Sequence, residues 1–131
     1  MRVRGQYGRF GLAYIECQIS SQNPHFVNVP IALALDTGSS RTMMLDKDAS
    51  ALNLNYKKLT KVEGGVGGVG GRSEACQLCG VTIAFSNSQP PNHIEALDKI
   101  CVLRHVVRTE KQRINVDSIP SVLGLDVLKK F

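Results

Sequence analysis

Residues 27–35 carry Val27, Val29, Ile31, Leu33 and Leu35 at the odd positions, with smaller or polar side chains between them. A period of two is how a β-strand turns one face to a core. Strand-like patterning also covers residues 10–20, joined to this strand through Asn23-Pro24-His25, and two later stretches, residues 73–85 and 98–107. Residues 43–55 change period: Asp46 or Asp48 offers a cap, and Ala49, Ala51, Leu52 and Leu54 follow at spacings that suit a short helix. Near the end, Leu125, Leu128 and Phe131 share a face at i, i+3 and i+6, which predicts a second short helix over about 124–131. Residues 86–93 gather Ser, Asn, Gln and Pro into a turn-rich loop, read as a surface insertion. This order of elements predicts an all-β barrel with little helix, in a chain of 131 residues that has room for one domain, 1–131.

The most informative chemistry stands where the first clear strand stops. Leu35-Asp36-Thr37-Gly38-Ser39-Ser40 places one carboxylate at the end of an apolar run and beside a glycine turn. Gly38 allows the backbone a positive φ, and the hydroxyls of Thr37 and Ser39 can hydrogen-bond the carboxylate or the neighbouring main chain. Asp-Thr-Gly also ends ordinary strands, and phosphate-transfer enzymes use similar turns around a nucleophilic aspartate. Two further segments narrow the choice. Residues 64–71 hold six of the twelve glycines, a density that an ordinary strand or helix would not tolerate and that reads as a mobile hairpin or loop. Residues 119–131 run from an apolar stretch through Gly124 into the predicted terminal helix.

Taken in order, these three segments resemble the retropepsin-like aspartic peptidases, the single-domain relatives of retroviral protease, over roughly residues 10–131. Asp36, Thr37 and Gly38 match the catalytic triplet. Gly65, Val66, Gly67, Gly68, Val69 and Gly70 match the flap, expected over about 62–74, and Val122, Leu123 and Gly124 match the element that packs beside the catalytic loop with Ser39. The resemblance implies a small closed barrel of the acid-protease type and hydrolysis of peptide bonds. That reaction uses two carboxylates sharing one proton: one draws a proton from the attacking water, and the other polarises the scissile carbonyl. This chain has a single Asp-Thr-Gly, so an active enzyme is a homodimer with both copies of Asp36 at the two-fold axis. Thr37 is expected to link the two loops there. The implied partners are a second copy and a peptide or protein substrate, with no cofactor and no metal. Family members of retroviral type carry alanine where this chain has Ser39; a hydroxyl donating to the carboxylate would favour an acidic optimum.

Two departures from the retroviral pattern stand out. An arginine after the helix glycine and an acid four residues after the catalytic aspartate are replaced by Leu125 and Ser40, so that salt bridge is not carried over. Asp126 is then expected to cap the terminal helix, where a carboxylate suits the helix dipole. Retroviral chains also continue past this helix into a final interface strand, whereas the sequence here stops at Phe131. Either the N-terminal segment and active-site loops hold the dimer, or the sequence is a piece of a longer chain.

Composition refines this reading. A hydrophobic share of 43% and a mean hydropathy of −0.06 fit a globular domain. No apolar run is long enough to span a membrane and no signal peptide is visible, which gives the expectation of a cytoplasmic protein without a membrane segment. The net charge of +5 and pI near 9.2 raise nucleic-acid binding, but residues 104–113 hold basic groups without interleaved aromatics, and the chain has no tryptophan. A solvated basic face, read as a strand running into a turn, is the better reading, and no nucleic-acid partner is expected. Cys76 and Cys79 have metal or redox spacing, and Cys101 with His105 would complete a zinc set. Positions three apart on a strand face opposite ways, which favours buried free thiols or a Cys76–Cys101 bridge. A zinc or redox protein and a non-catalytic dimeric peptide-binding module therefore stand as the alternatives to an endopeptidase.

Overall fold

The computed structural model describes residues 3–8, 11–66, 73–86 and 89–131, with residues 63–66 described by their backbone. In chain order its elements are β1 (Gln6–Tyr7), β2 (Ala13–Asn23), β3 (His25–Leu35), β4 (Met43–Met44), α1 (Asp46–Ala51), a 3-10 turn at Tyr56–Lys58, β5 (Thr60–Val66), β6 (Ser73–Phe85), β7 (His93–His105), α2 (Glu110–Asp117), β8 (Val122–Leu123) and α3 (Leu125–Leu128). Six strands in the order β2-β3-β8-β4-β7-β6 close into a barrel, because β6 pairs back onto β2 from Cys17↔Phe85 to Asn23↔Cys79. β1 extends the sheet at β2 and β5 extends it at β6. The expected all-β closed barrel with short helices is what the chain forms. Among the described residues, no helix is long and apolar enough to cross a membrane.

The interior follows the period-two pattern. Ile15, Cys17 and Ile19 of β2, Ile31 and Leu33 of β3, Leu78, Val81, Ile83 and Phe85 of β6, and Ile100 and Val102 of β7 meet in one buried cluster. In β3 the alternation reaches the core only in its second half: Val27 is 58% exposed, whereas Leu33 is 2% exposed. The first half of β3 pairs with β2 around a register shift between Ile19 and Ser21, and the same part of β2 pairs on its other edge with β6. Asn28 takes a φ of 52° there, and its backbone N–H donates to Ser20 Oγ at 2.8 Å.

Several elements differ from the sequence expectation. Residues 43–55 do not form one helix. Met43 and Met44 are a short strand running parallel to β7 at Cys101 and Val102, and only Asp46–Ala51 is helical. Neither Asp46 nor Asp48 is the cap: Leu45 occupies that position, Asp46 turns inward to His105, and Asp48 accepts the Ser121 hydroxyl at 2.6 Å. The first long strand begins at Ala13 and continues to Asn23, and β7 starts at His93, within the expected loop. α2 stands where a strand or turn was expected. Its signal was present in the sequence as Thr109 and Gln112, which form a reciprocal capping box: Gln112 N donates to Thr109 Oγ1 at 3.1 Å, and Thr109 N donates to Gln112 Oε1 at 3.2 Å.

α3 is anchored differently from its expected face. Val127 is its fully buried residue, while Leu125 is 38% exposed. Phe131 packs edge-on against Phe85, with ring centroids 5.7 Å apart, and against His93 at 5.4 Å. Beside it Lys130 Nζ donates to Glu95 at 3.0 Å and His93 Nε2 lies 2.6 Å from the same carboxylate. The hydrogen bond from His93, then that from Lys130, holds the Glu95 carboxyl below the usual carboxylate range. A depressed carboxyl pKa gives stability that is present above the unfolded value, about 4.3, and lost as pH falls through the folded one. Glu95→Gln is therefore expected to lower Tm by about 2–4 °C at pH 5.5, with the difference shrinking as pH falls below about 4 in paired thermal melts.

Candidate active site

β3 delivers Asp36 to the barrel rim and β8 fixes its height. Ala34 pairs with Val122 and Leu35 with Leu123 in parallel register, Ala34 N donates to Ser121 O at 2.9 Å, and Asp36 N donates to Leu123 O at 3.1 Å. The chain then turns sharply. Ser39 N donates to Asp36 O at 3.2 Å, and Gly38 N donates to Asp36 Oδ1 at 2.8 Å, so the carboxylate is oriented by its own turn. Asp36, Thr37 and Gly38 are all exposed at its tip.

The reason for glycine at 38 is space. Among the described residues the glycines with positive φ are Gly11 and Gly80, so the expected left-handed conformation at Gly38 is not adopted. A Cβ at residue 38 would instead lie 3.1 Å from Asp36 Oδ1, crowding the bond that orients the carboxylate. The expectation for Ser39 is also corrected. Its hydroxyl donates to Arg41 O at 2.7 Å, within the loop, and not to Asp36.

α3 clamps this loop from below. The first N–H groups of a helix have no partner inside it. Here Leu125 N donates to Ser39 O at 2.9 Å and Asp126 N donates to Ser40 O at 3.2 Å. This approach requires Gly124, since a Cβ there would fall 2.4 Å from the Arg41 carbonyl. Asp126 does not cap its own helix. Its carboxylate accepts Thr42 N at 3.0 Å and Thr42 Oγ1 at 2.8 Å, while Gly124 N donates to Thr42 Oγ1 at 3.1 Å. Thr42, 1% exposed, was missed in the sequence, because nothing local marks it: its partners lie more than eighty residues away. Together with Asp126 it braces the loop through hydrogen bonds. Val122 and Leu123 complete the packing, with Leu123 1% exposed.

A cleft of about 460 Å³ opens beside the turn, lined by Gly38, Ser39, Arg41, Val62, Lys99 and Cys101 among others. Val62 belongs to β5, whose pairing with β6 runs from Thr60↔Gln77 to Val66↔Ser73. Of the expected flap, Gly65 and Val66 end β5, and Gly67, Gly68, Val69 and Gly70 lie outside the described residues.

The cysteines do not converge. Cys76 sits opposite Val102 and Cys101 opposite Gln77, so the two side chains project to opposite faces of the β6–β7 pair and cannot bridge. Cys79 is exposed, and His105 Nδ1 lies 2.6 Å from buried Asp46. No three His, Cys, Asp or Glu side chains among the described residues are grouped to hold a metal. Burial pushes the Cys17 thiol up to about 12 and also raises Cys76 and Cys101.

The clamp makes two predictions. Thr42→Val and Asp126→Asn should each cost about 1–3 kcal/mol in urea unfolding, and the double variant should cost clearly less than their sum. Gly124→Ala should be more damaging than either, roughly 3 kcal/mol or more, because backbone and not a flexible side chain occupies the space. Additive effects of the Thr42 and Asp126 substitutions would contradict the coupling.

No family model matches the chain, and no curated protein matches it in sequence. Solved structures do match. A retropepsin-like aspartic protease from Rickettsia conorii superposes with a TM-score of 0.57 at 21% identity, over 99% of this chain and 90% of that one. The EIAV protease complexed with the inhibitor HBY-793 aligns over 95% and 92% of the two chains at 20% identity, with a TM-score of 0.49. A closed six-stranded barrel, an Asp-Thr-Gly turn at its rim and a terminal helix beneath that turn, superposing on the rickettsial structure over nearly the whole chain, give this protein the retropepsin-like fold.

Proposed function

We propose that the protein is an aspartic endopeptidase acting as a homodimer, with residues 1–131 as a single peptidase domain. The observation that carries this reading is the exposed Asp36 carboxylate, oriented by Gly38 N and held at the rim by the α3 clamp beside an open cleft. One such turn per chain provides one carboxylate, and the chemistry needs two. Leu35 is 36% exposed and Leu125 is 38% exposed, one on each element beside Asp36. Apolar side chains bordering an ionisable group suit a surface covered by a second copy.

In the dimer the two Asp36 carboxylates share one proton, because like charges at close range cannot both ionise. The ionised member takes a proton from the attacking water. The protonated member hydrogen-bonds the scissile carbonyl as it becomes tetrahedral, and the proton then passes to the leaving amine. Thr37 ties the two turns across the axis. The substrate lies extended, with backbone hydrogen bonds and alternating pockets in the manner of an added strand. Gly65, Val66, Gly67, Gly68, Val69 and Gly70 close over it, the glycines acting as hinges. The acid-side optimum rests on the shared proton and no longer on Ser39.

Asp36→Asn tests this directly. It should lower peptide cleavage by roughly 10³-fold or more while thermal stability and sedimentation stay unchanged. The rate per chain of the unmodified protein should fall on dilution, and cleavage should decline as pH rises past neutral. Cleavage that survives Asp36→Asn would overturn the reading.

A further inference from the structure

The cleft beside the catalytic turn carries a charge pattern that peptide hydrolysis does not itself require. Arg41 follows the clamped loop, its carbonyl held by the Ser39 hydroxyl and its backbone packed against Gly124. Its side chain is exposed and lines the cleft. Lys99 reaches the same cleft from β7, which runs parallel beside the stretch that follows Arg41, with Met43 paired to Cys101. Among the described residues, neither cation lies within ion-pair distance of a carboxylate.

The lining sets these two cations against one carboxylate, which leaves the cleft with a net positive charge. Asp126 is the carboxylate there, and both of its oxygens are engaged by Thr42. Cys101 is neutral, since burial raises its thiol, with Arg41 opposing that effect through its charge. Met43, Val62 and Ile100 supply apolar wall, which lowers the local dielectric and strengthens attraction to an anion. An arginine fork matches a carboxylate in two-pronged geometry, and a lysine adds a point charge to the same pocket.

We propose that this cleft is a side-chain pocket selective for a carboxylate, so that the preferred substrate carries Glu or Asp close to the scissile bond, held by Arg41 and Lys99 together. This rests on the endopeptidase reading for its consequence in cleavage, but the pocket itself is a binding property. It also sets a pH dependence. A substrate glutamate, with a pKa of about 4.3, is recognised while ionised and loses its advantage as pH falls below that value.

The test uses two matched peptide series in which one position at a time, within four residues of the cleaved bond, is Glu or Gln. At pH 6 the ratio of kcat/KM for the Glu peptide over the Gln peptide should reach about five-fold or more at one position. By pH 3.5 it should fall towards one. Lys99→Gln should reduce the ratio, and Arg41→Glu combined with Lys99→Glu should reverse it in favour of a Lys peptide. Binding of the same peptides to the Asp36→Asn variant, followed by fluorescence anisotropy, separates pocket from chemistry. Equal cleavage and equal binding of the two series would overturn the pocket and leave the endopeptidase standing. Preferential binding of Glu peptides by a protein that never cleaves them would support the pocket and overturn the endopeptidase.

Discussion

The close approach of Gly124 to the Arg41 backbone is the contact on which the rest of the site depends. It lets two helix N–H groups, from Leu125 and Asp126, reach the carbonyls of Ser39 and Ser40. Those bonds satisfy the helix end and fix the loop in one step, without any charged pair between exposed side chains. Thr42 then closes the arrangement, because its hydroxyl accepts from Gly124 and donates to Asp126. In the proposed dimer the carboxylate has to meet its symmetry mate and can be displaced only slightly before the chemistry fails, so a backbone clamp is an apt support for Asp36.

The barrel supplies the frame for that clamp. β8 is only two residues long, yet it lies between β3 and β4, and β4 hands the sheet on to β7. Ser121, fully buried, ties this seam to α1: its carbonyl accepts Ala34 N, and its hydroxyl accepts from Leu45 N and donates to Asp48. On the far side of α1, buried Asp46 accepts His105 N at 2.9 Å and contacts the His105 ring, joining β7 to the same helix. The strand that carries Asp36, the cleft wall and the terminal helix thus share one hydrogen-bonded and packed unit.

Much of this was legible in the sequence, and the misses have physical causes. The period-two runs located β3 and β6, and the order of the Asp-Thr-Gly turn, the glycine cluster and the Leu-Gly element pointed to the fold. Met43 and Met44 were read with the helix that follows, because a two-residue strand between β7 and β8 has no period of its own. Asp126 and Asp46 looked like helix caps by position, but each turned to a distant backbone N–H, Thr42 in one case and His105 in the other. Gly38 was assigned a conformational role when its role is steric, and Ser39 was aimed at Asp36 when the nearer acceptor was Arg41 O. α2 could have been found, since Thr109 and Gln112 are a capping-box pair. Long-range partners such as Thr42, Lys99 and Cys101 could not, because only the closed barrel brings them to the cleft.

The central claim is that one acid per chain works as half of a pair. Calorimetric titration with a statine-type transition-state mimic counts that pair directly, since the mimic's hydroxyl occupies the place of the attacking water between two carboxylates. The account predicts saturation at one mimic for every two chains, with binding lost in Asp36→Asn. Saturation at one mimic per chain, or binding that ignores the Asp36 substitution, would contradict it.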